Sequence, residues 1–148
     1  MANLGGTAST EIDAPIETCW AAVEDPSQAP TWQHGLNAMD VRERDTEGRV
    51  LLAESTSDAK VREIKSVVRF THEPPHRLAW RQESGDLKAL EGAWELEALG
   101  PDRTRATYRL DGDPGRMLGM LVRGPVEGRI REILVGGRPA ELKRRVEG

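Results

Sequence analysis

The sequence predicts an α+β domain in which a curved antiparallel sheet wraps around a long C-terminal helix, with two short helices between strands 1 and 2. Residues 36–110 alternate apolar and polar side chains between turn signals, as strands do. Helical spacing precedes this region from Pro15 to Val23 and follows it from Met117 onward. One sheet and one long helix bury both apolar faces only if the sheet curls, which leaves a space for large side chains or a bound molecule.

The most regular alternation, "EGAWELEALGPDRTRATYRL" at residues 91–110, predicts a hairpin. Its two apolar faces coincide only if facing residue numbers have an even sum, for example Trp94 with Tyr108 and Glu97 with Arg105. That register needs an odd-numbered loop, and residues 100–102 supply a Gly-Pro-Asp turn. We therefore expect a charged outer face and an aromatic inner face.

The elements before this region are predicted from changes in the spacing of apolar residues along the sequence. "TASTEID" at residues 7–13 predicts the first strand. A helix of about ten residues follows, with Pro15 at its first position and Pro26 after its end. Its apolar positions at helical spacing are Ile16, Cys19, Trp20 and Val23. "SQAPTWQHG" predicts a second short helical segment that Gly35 ends.

Hairpin-connected strands then form a meander, in which sequential strands pair. Runs such as "RVLLAES", "IKSVVRF" and "HRLAWRQ" stand between "DTEGR", "STSDA", "HEPPH", "ESGD" and "GPDR". We predict inward side chains at Ile64, Ser66, Val68, Phe70, Leu78, Trp80, Trp94, Leu96, Tyr108 and Leu110. The outward set is Arg62, Lys65, Arg69 and Arg81.

The last third of the chain returns to helical spacing after "DGDPG". Its apolar stripe is Met117, Leu118, Leu121, Val122, Val126, Ile130, Ile133 and Leu134. We expect kinks or interruptions at Pro125, Gly136, Gly137 and Pro139. "PAELKRRVEG" then restarts the helix with a basic outer face. The basic tail of the chain consists of Arg138, Lys143, Arg144 and Arg145.

Length, charge and cysteine content limit the classes of protein to which the chain can belong. A chain of 148 residues predicts a single domain, 1–148. Its net charge of -4 argues against a nucleic-acid partner, although residues 116–148 carry 8 Lys and Arg against 4 Asp and Glu. One cysteine, no signal-like start and no long apolar run predict a cytoplasmic protein without stable membrane insertion. The basic tail favours a solvated helix face over transient contact with anionic lipid headgroups.

Metal and cofactor motifs give no positive prediction. "HEPPH" at residues 72–76 has the zincin spacing of two histidines around a glutamate, but Pro74 and Pro75 prevent the helix that such a site needs. We expect a hairpin turn there and no metal. Neither a P-loop nor a glycine-rich dinucleotide turn occurs, so no cofactor is expected.

Several spaced motifs are similar to the START-like (SRPBCC, birch-allergen-like) superfamily. The opening "IDAPIETCWAAVEDPSQAPTWQHGL" resembles its first segment, and "GAWELEALGPDRTRATYRLDGD" and "ELKRRVEG" resemble its closing hairpin and final helix. The matching positions are Ala14, Pro15, Glu17, Trp20, Asp25, Pro30, Trp32, Gly92, Trp94, Thr104 and Tyr108. The likeness covers nearly the whole chain and is strongest to small bacterial polyketide cyclase/dehydratase or coenzyme-Q-binding-like proteins. It implies a helix-grip fold with a deep apolar cavity.

The function that follows is binding, or transport, of a small hydrophobic ligand such as a polyketide, quinone or lipid between the sheet and the C-terminal helix. The ligand-binding residues expected are Trp32, His34, Phe70, Trp80, Trp94, Tyr108, Leu118 and Val122. An aromatic stripe on strands is equally consistent with a plain core, and a loop histidine is most often solvated. The alternatives are a cofactor-independent cyclase/dehydratase and a surface-mediated interaction module, each as a monomer or homodimer.

Overall fold

Seven strands form one antiparallel sheet in the computed structural model, which describes residues 4–58, 62–121 and 124–148. In chain order they are β1 (Gly6–Ile12), β2 (Leu36–Arg44), β3 (Val50–Asp58), β4 (Glu63–Glu73), β5 (Arg77–Gly85), β6 (Ala89–Gly100) and β7 (Arg103–Asp113). The spatial order is β1-β7-β6-β5-β4-β3-β2, so the last six strands form a meander and β1 pairs with β7. The predicted α+β helix-grip layout is confirmed.

Two short helical segments connect β1 to β2, as predicted. Helix α1 (Ile16–Val23) directly follows Pro15, and its four apolar positions at helical spacing are all buried. A 3-10 helix (Pro26–Thr31) comes next. Asp25 caps it, because its carboxylate accepts hydrogen bonds from the backbone N–H of Ser27 (3.1 Å) and from the Ser27 hydroxyl (2.6 Å).

The C-terminal helical region is divided near Pro125 and at Gly136 and Gly137, as predicted, whereas Pro139 lies within the last helix. It consists of α2 (Gly115–Leu121), α3 (Pro125–Arg131), a π-helical turn (Glu132–Gly136) and α4 (Arg138–Glu147). Pro125 is the first residue of α3, and Gly137 separates the π-helical turn from α4. The buried positions Ile130, Leu134, Arg138 and Leu142 recur every four residues along this region.

The closing hairpin has the predicted register, with Trp94 opposite Tyr108 and Glu97 opposite Arg105. The connection differs from the predicted three-residue loop. Ala98 faces Thr104 but Gly100 faces Arg103, so Leu99 is a bulge and Pro101 and Asp102 form a two-residue turn. The extra residue needed for the register is therefore accommodated in the strand, because a bulge places two residues opposite one.

Ion pairs cover the outer face of the sheet. Arg105 lies 2.8 Å from Glu97 and Arg109 lies 2.5 Å from Glu95, each across the β6–β7 pair. All four predicted outward residues, Arg62, Lys65, Arg69 and Arg81, are exposed. Pairs as exposed as these contribute little each, so the apolar inner face dominates the stability of the sheet.

Strand β2 lies at one edge of the sheet and pairs irregularly. Its register against β3 shifts at three places, between Leu36 and Ala38, between Val41 and Glu43, and between Glu43 and Arg44. Most of its side chains are exposed or half-buried, and only Leu36 is buried.

Candidate functional site

A cavity of about 100 Å³ lies between the concave face of the sheet and the helical segments. Residues of β2 to β7 line it from the sheet side. Val23 of α1, several residues from Pro26 to Gln33, and Leu134 and Arg138 line it from the helical side. Most of the lining is apolar, which is typical of a site for a small hydrophobic molecule.

Five aromatic rings form a continuous chain along this cavity. Ring centroids are 6.1 Å apart for Trp32 and Trp94, 4.7 Å for Trp94 and Tyr108, 5.6 Å for Tyr108 and Trp80, and 6.2 Å for Trp80 and Phe70. The Trp94–Tyr108 contact is edge-to-face and follows directly from their cross-strand pairing. All five residues line the cavity, and the strand register positions the four of them that lie on strands.

The position of Trp80 depends on a glycine in the neighbouring strand. Gly92 lies opposite Trp80 on β6, and a Cβ at that position would lie 2.7 Å from the indole ring and 2.7 Å from the carbonyl oxygen of Arg109. The missing side chain therefore lets the indole lie directly against the β6 backbone.

A buried ion pair closes one part of the cavity. Arg138 and Glu141 of α4 are 2% and 8% exposed, and Nη1 of Arg138 donates to Oε1 of Glu141 at 2.9 Å. The same Nη1 donates to the backbone carbonyl of His34 at 2.6 Å, while Oε2 of Glu141 accepts the backbone N–H of His34 at 2.7 Å. The pair thus anchors the segment after the 3-10 helix to α4.

Nε of Arg138 is also buried, and it has no hydrogen-bond partner among the residues that the structure describes. A buried N–H without an acceptor costs about 1–3 kcal/mol, and more in a charged group. Arg138 itself is one of the residues that line the cavity.

The hydroxyl of Tyr108 lies beside this arginine. Burial raises the pKa of the Tyr108 phenol, while the charge of Arg138 and a side-chain hydrogen bond with it act in the opposite direction.

The raised pKa of Tyr108 predicts a specific alkaline transition. In the unfolded chain the phenol ionises near pH 10, so its contribution to stability is complete below that pH and is lost as the pH rises toward the folded pKa. Tyr108 is the one tyrosine of the sequence, so tyrosinate absorbance reports on it alone. We expect the native midpoint to lie above the midpoint in denaturant, and Tyr108→Phe to abolish the signal. Equal midpoints would contradict the burial of this phenol.

Hydroxyl groups form a second polar patch on the sheet side of the cavity. The Ser66 hydroxyl donates to Oε1 of Gln82 at 2.7 Å, and the Ser55 hydroxyl donates to the backbone carbonyl of Ser66 at 3.3 Å. Ser55, Ser57 and Ser66 all line the cavity from β3 and β4. The cavity therefore has neutral hydroxyls on these strands and one charged residue, Arg138, on α4.

The family of the chain is decided by its sequence. The sequence model of the family described as "Polyketide cyclase / dehydrase and lipid transport" matches residues 5–147. The chain belongs to this family. No curated protein sequence matches this member of the polyketide cyclase/dehydrase and lipid transport family significantly.

Solved structures share the fold of this family member. A START superfamily protein from Mycobacterium smegmatis is 19% identical with a TM-score of 0.80, covering 97% of each chain. The Zhui aromatase/cyclase from Streptomyces sp. R1128 is 17% identical with a TM-score of 0.73, covering 97% of this chain and 96% of its own. A protein from Thermus thermophilus is 17% identical with a TM-score of 0.76, covering 97% of each chain. The resemblance to the START-like superfamily is confirmed.

The structure brings most of the expected ligand-binding residues together. Trp32, Phe70, Trp80, Trp94 and Tyr108 line the cavity. Leu118 is buried elsewhere in the core, and Val122 lies outside the described residues. Leu134 and Arg138 take the positions expected for Leu118 and Val122, because the helical region is divided and its later segments cover this part of the sheet.

His34 contributes its backbone and not its imidazole. Its N–H and carbonyl bind Glu141 and Arg138, and its ring is not part of the cavity lining. Any role for the imidazole as a base in the cavity therefore has no geometric support in this structure.

The basic tail is not one uniform outer face, which corrects the expectation for Arg138. That residue is buried, whereas Arg144 and Arg145 are exposed and Lys143 pairs with Glu147 at 2.6 Å. The sequence analysis groups Arg138 with the basic residues Lys143, Arg144 and Arg145, which follow it by five to seven positions. The available signal was its four-residue spacing from Leu134 and Leu142, which places it on the buried stripe of the helical region.

"HEPPH" is a turn, as predicted. Strand β4 ends at Glu73 and β5 begins at Arg77, and Nε2 of His72 lies 2.7 Å from the backbone carbonyl of Val50. Nδ1 of His76 lies 3.4 Å from the carbonyl of Leu96. The two rings thus contact different strands. In the described ranges no group of three or more His, Cys, Asp or Glu side chains is arranged to hold a metal ion, and no helix has the length and apolarity to span a membrane.

Proposed function

We propose that the chain binds a small hydrophobic molecule, such as a polyketide, quinone or lipid, in the cavity between the sheet and the helical segments. The observation that carries this proposal is the chain of five aromatic rings along a buried, mostly apolar cavity that also holds a few polar groups. Membership in a family described by polyketide cyclisation and lipid transport supports the same ligand class.

The free volume requires side chains to move when such a ligand enters. The cavity measures about 100 Å³, whereas pockets for drug-sized ligands measure about 300–1,000 Å³. Trp32 is the side chain best placed to move, since it is half-buried and stands at the end of the ring chain, with Trp94 as its ring partner. We therefore propose entry by displacement of Trp32, with the other four rings as the fixed wall.

A cofactor-independent cyclase/dehydratase is the second candidate. The Zhui aromatase/cyclase shares the fold, and Tyr108 lines the cavity, where its hydroxyl would donate to a ligand carbonyl. The two candidates differ in what Tyr108→Phe does. An enzyme would lose turnover far more than affinity, whereas a carrier would lose only affinity.

The test of the proposal combines mass measurement with a matched pair of variants. The native and denatured masses of the purified protein are compared, and any passenger is extracted and identified. Tryptophan fluorescence then follows titration with a quinone, a fatty acid and a polyketide-like aromatic ketone. We expect a passenger or saturable quenching by at least one of these probes.

Two neighbouring residues of β4 provide the variants. Val68 lines the cavity, and Val67 points to the opposite face of the sheet. Val68→Phe fills the cavity and is expected to weaken binding at least about tenfold, which corresponds to about 1.4 kcal/mol. Val67→Phe adds the same ring outside the cavity and is expected to leave binding unchanged. Equal affinities in both variants and the wild type would place the ligand elsewhere and overturn the proposal.

A further inference from the structure

We propose that the buried Arg138–Glu141 pair is a latch that holds residues 32–35, the entry segment, closed over the cavity. Opening of this latch sets the rate at which a hydrophobic molecule enters and leaves. This inference rests on the proposed function. It makes Arg138 and Glu141 positioning residues, whose role in entry does not depend on contact with the ligand.

The entry segment belongs both to the cavity wall and to the molecular surface. Trp32 and Gln33 line the cavity, whereas His34 is exposed. The segment is a turn between the 3-10 helix and β2. Outward movement of these four residues therefore opens the cavity to solvent without unfolding a helix or a strand.

The backbone hydrogen bonds of the entry segment show where it is held. At its start, the N–H groups of Trp32 and Gln33 bond to the carbonyl of Ala29 at 3.1 and 2.8 Å, so these bonds remain local. At its end, the carbonyl of Gly35 accepts the N–H of Asp58 on β3 at 2.7 Å. Between these points the segment is bound to α4.

The latch holds a single residue of the segment from both sides. Oε2 of Glu141 accepts the N–H of His34 at 2.7 Å, and Nη1 of Arg138 donates to the His34 carbonyl at 2.6 Å. The two side chains also bond to each other at 2.9 Å. His34 lies two residues after Trp32, so the latch fixes the backbone that carries the indole at the end of the ring chain.

The polar character of the latch permits it to open and close. Hydrogen bonds to ionised groups are stronger than those between neutral groups, which favours the closed position. On opening, water replaces the partners of both charges and of the His34 backbone, so the net cost is far below the gross strength of these bonds. The segment can therefore open as a local event while the apolar core stays intact.

The test compares Glu141→Gln with Glu147→Gln on the same helix. Glutamine keeps the shape of glutamate but not its charge, and Glu141 is not among the described residues that line the cavity. Glu147 is the matched control, because its Oε2 accepts from Nζ of Lys143 at 2.6 Å and from the N–H of Asp13 at 2.9 Å. It thus makes the same kinds of contact, but with the residue after β1 instead of the entry segment.

Stopped-flow fluorescence with N-phenyl-1-naphthylamine, an uncharged apolar probe, measures the association and dissociation rate constants separately. We expect both constants to rise at least about fivefold in Glu141→Gln, because a neutral acceptor holds the His34 N–H and Arg138 less strongly than a carboxylate. The latch is closed in the free and the bound protein alike, so we expect Kd to change by less than about twofold. Glu147→Gln should keep both rate constants within about twofold of the wild type.

Amide hydrogen exchange of the ligand-free protein tests the opening itself. The reporter is the N–H of Asp58, which bonds to Gly35, the residue after the one that the latch holds. We expect its exchange to accelerate at least about fivefold more in Glu141→Gln than that of the fully buried Ala106 on β7. Equal acceleration at both amides would indicate global destabilisation and would overturn the latch.

Failure of the inference is distinguishable from failure of the proposed function. If the probe binds but Glu141→Gln leaves both rate constants unchanged, alters only Kd, or acts no more strongly than Glu147→Gln, the inference is overturned and hydrophobic binding stands. If the wild type binds neither this probe nor those of the proposed function, both are overturned. If it binds only one of the latter, the rate constants are measured with that probe.

A second variant keeps the inference testable if Glu141→Gln does not fold. Arg138→Met combined with Glu141→Leu removes both charges, and apolar residues of similar volume often replace a buried ion pair without loss of stability. We expect the same acceleration of both rate constants and of exchange at Asp58 in this double variant. Rate constants equal to those of the wild type would again overturn the latch.

Discussion

Replacing Trp94 with alanine is expected to lower the free energy of unfolding by about 3–5 kcal/mol. Trp94 is 2% exposed, and its ring contacts Trp32 on one side and Tyr108 on the other. The variant therefore loses the burial of an indole and two aromatic contacts, and it leaves a void between Trp32 and Tyr108 in the ring chain.

Denaturant unfolding of the variant and of two companions measures this effect. Leu99→Ala removes an apolar side chain from the same strand, but Leu99 is 39% exposed and the expected cost is below about 0.5 kcal/mol. Indole added to Trp94→Ala should raise its Tm, because a dry apolar void binds a molecule of matching shape. A loss below about 1 kcal/mol, without any response to indole, would show that the Trp94 site is solvated and not part of the core.

Replacing Arg138 with methionine is expected to cost a similar amount, about 3–5 kcal/mol. The substitution leaves the Glu141 carboxylate buried without its counter-charge and removes the donor to the carbonyl of His34. The loss of stability arises mainly because the buried carboxylate of Glu141 has no counter-charge in the variant. The size of the loss therefore depends on whether residue 141 is charged.

A double-mutant cycle separates these contributions. Glu141→Gln keeps an oxygen that accepts the N–H of His34, and combined with Arg138→Met it removes both charges together. We expect the double variant to be more stable than Arg138→Met alone, with a coupling energy of about 2 kcal/mol. Additive losses, with a coupling near zero, would mean that Glu141 is hydrated and that the α4 contact does not depend on the pair.

The hairpin register could be derived from the sequence because it depends on a local rule. A period of two fixes which residues share a face, and the even-sum condition then pairs Trp94 with Tyr108. The same reasoning placed Phe70 and Trp80 on the inner face, where the structure has them. It could not locate the bulge at Leu99, because a bulge and a three-residue loop satisfy the parity equally well.

Local sequence patterns could not predict the polar end of the cavity. Arg138 and the carbonyl of His34 are 104 residues apart in sequence, and their contact depends on how α4 lies against the segment after the 3-10 helix. The composition of "GRPAELKRR" is typical of a basic surface segment, and only the packing of α4 makes Arg138 an interior residue. For the same reason the sequence identified His34 by its imidazole, whereas the structure uses its backbone.

The irregular edge strand β2 has a consequence for self-association. An edge that offers evenly spaced N–H and carbonyl groups invites another chain to add a strand and, repeated, to aggregate. The three register shifts along Leu36–Arg44 interrupt that spacing, and Asp40, Arg42, Glu43 and Arg44 add charge to the same strand. A seven-stranded sheet left open at β2 is thus protected against growing by one more strand, so two copies of this chain would have to meet through side chains and not through shared backbone hydrogen bonds along β2.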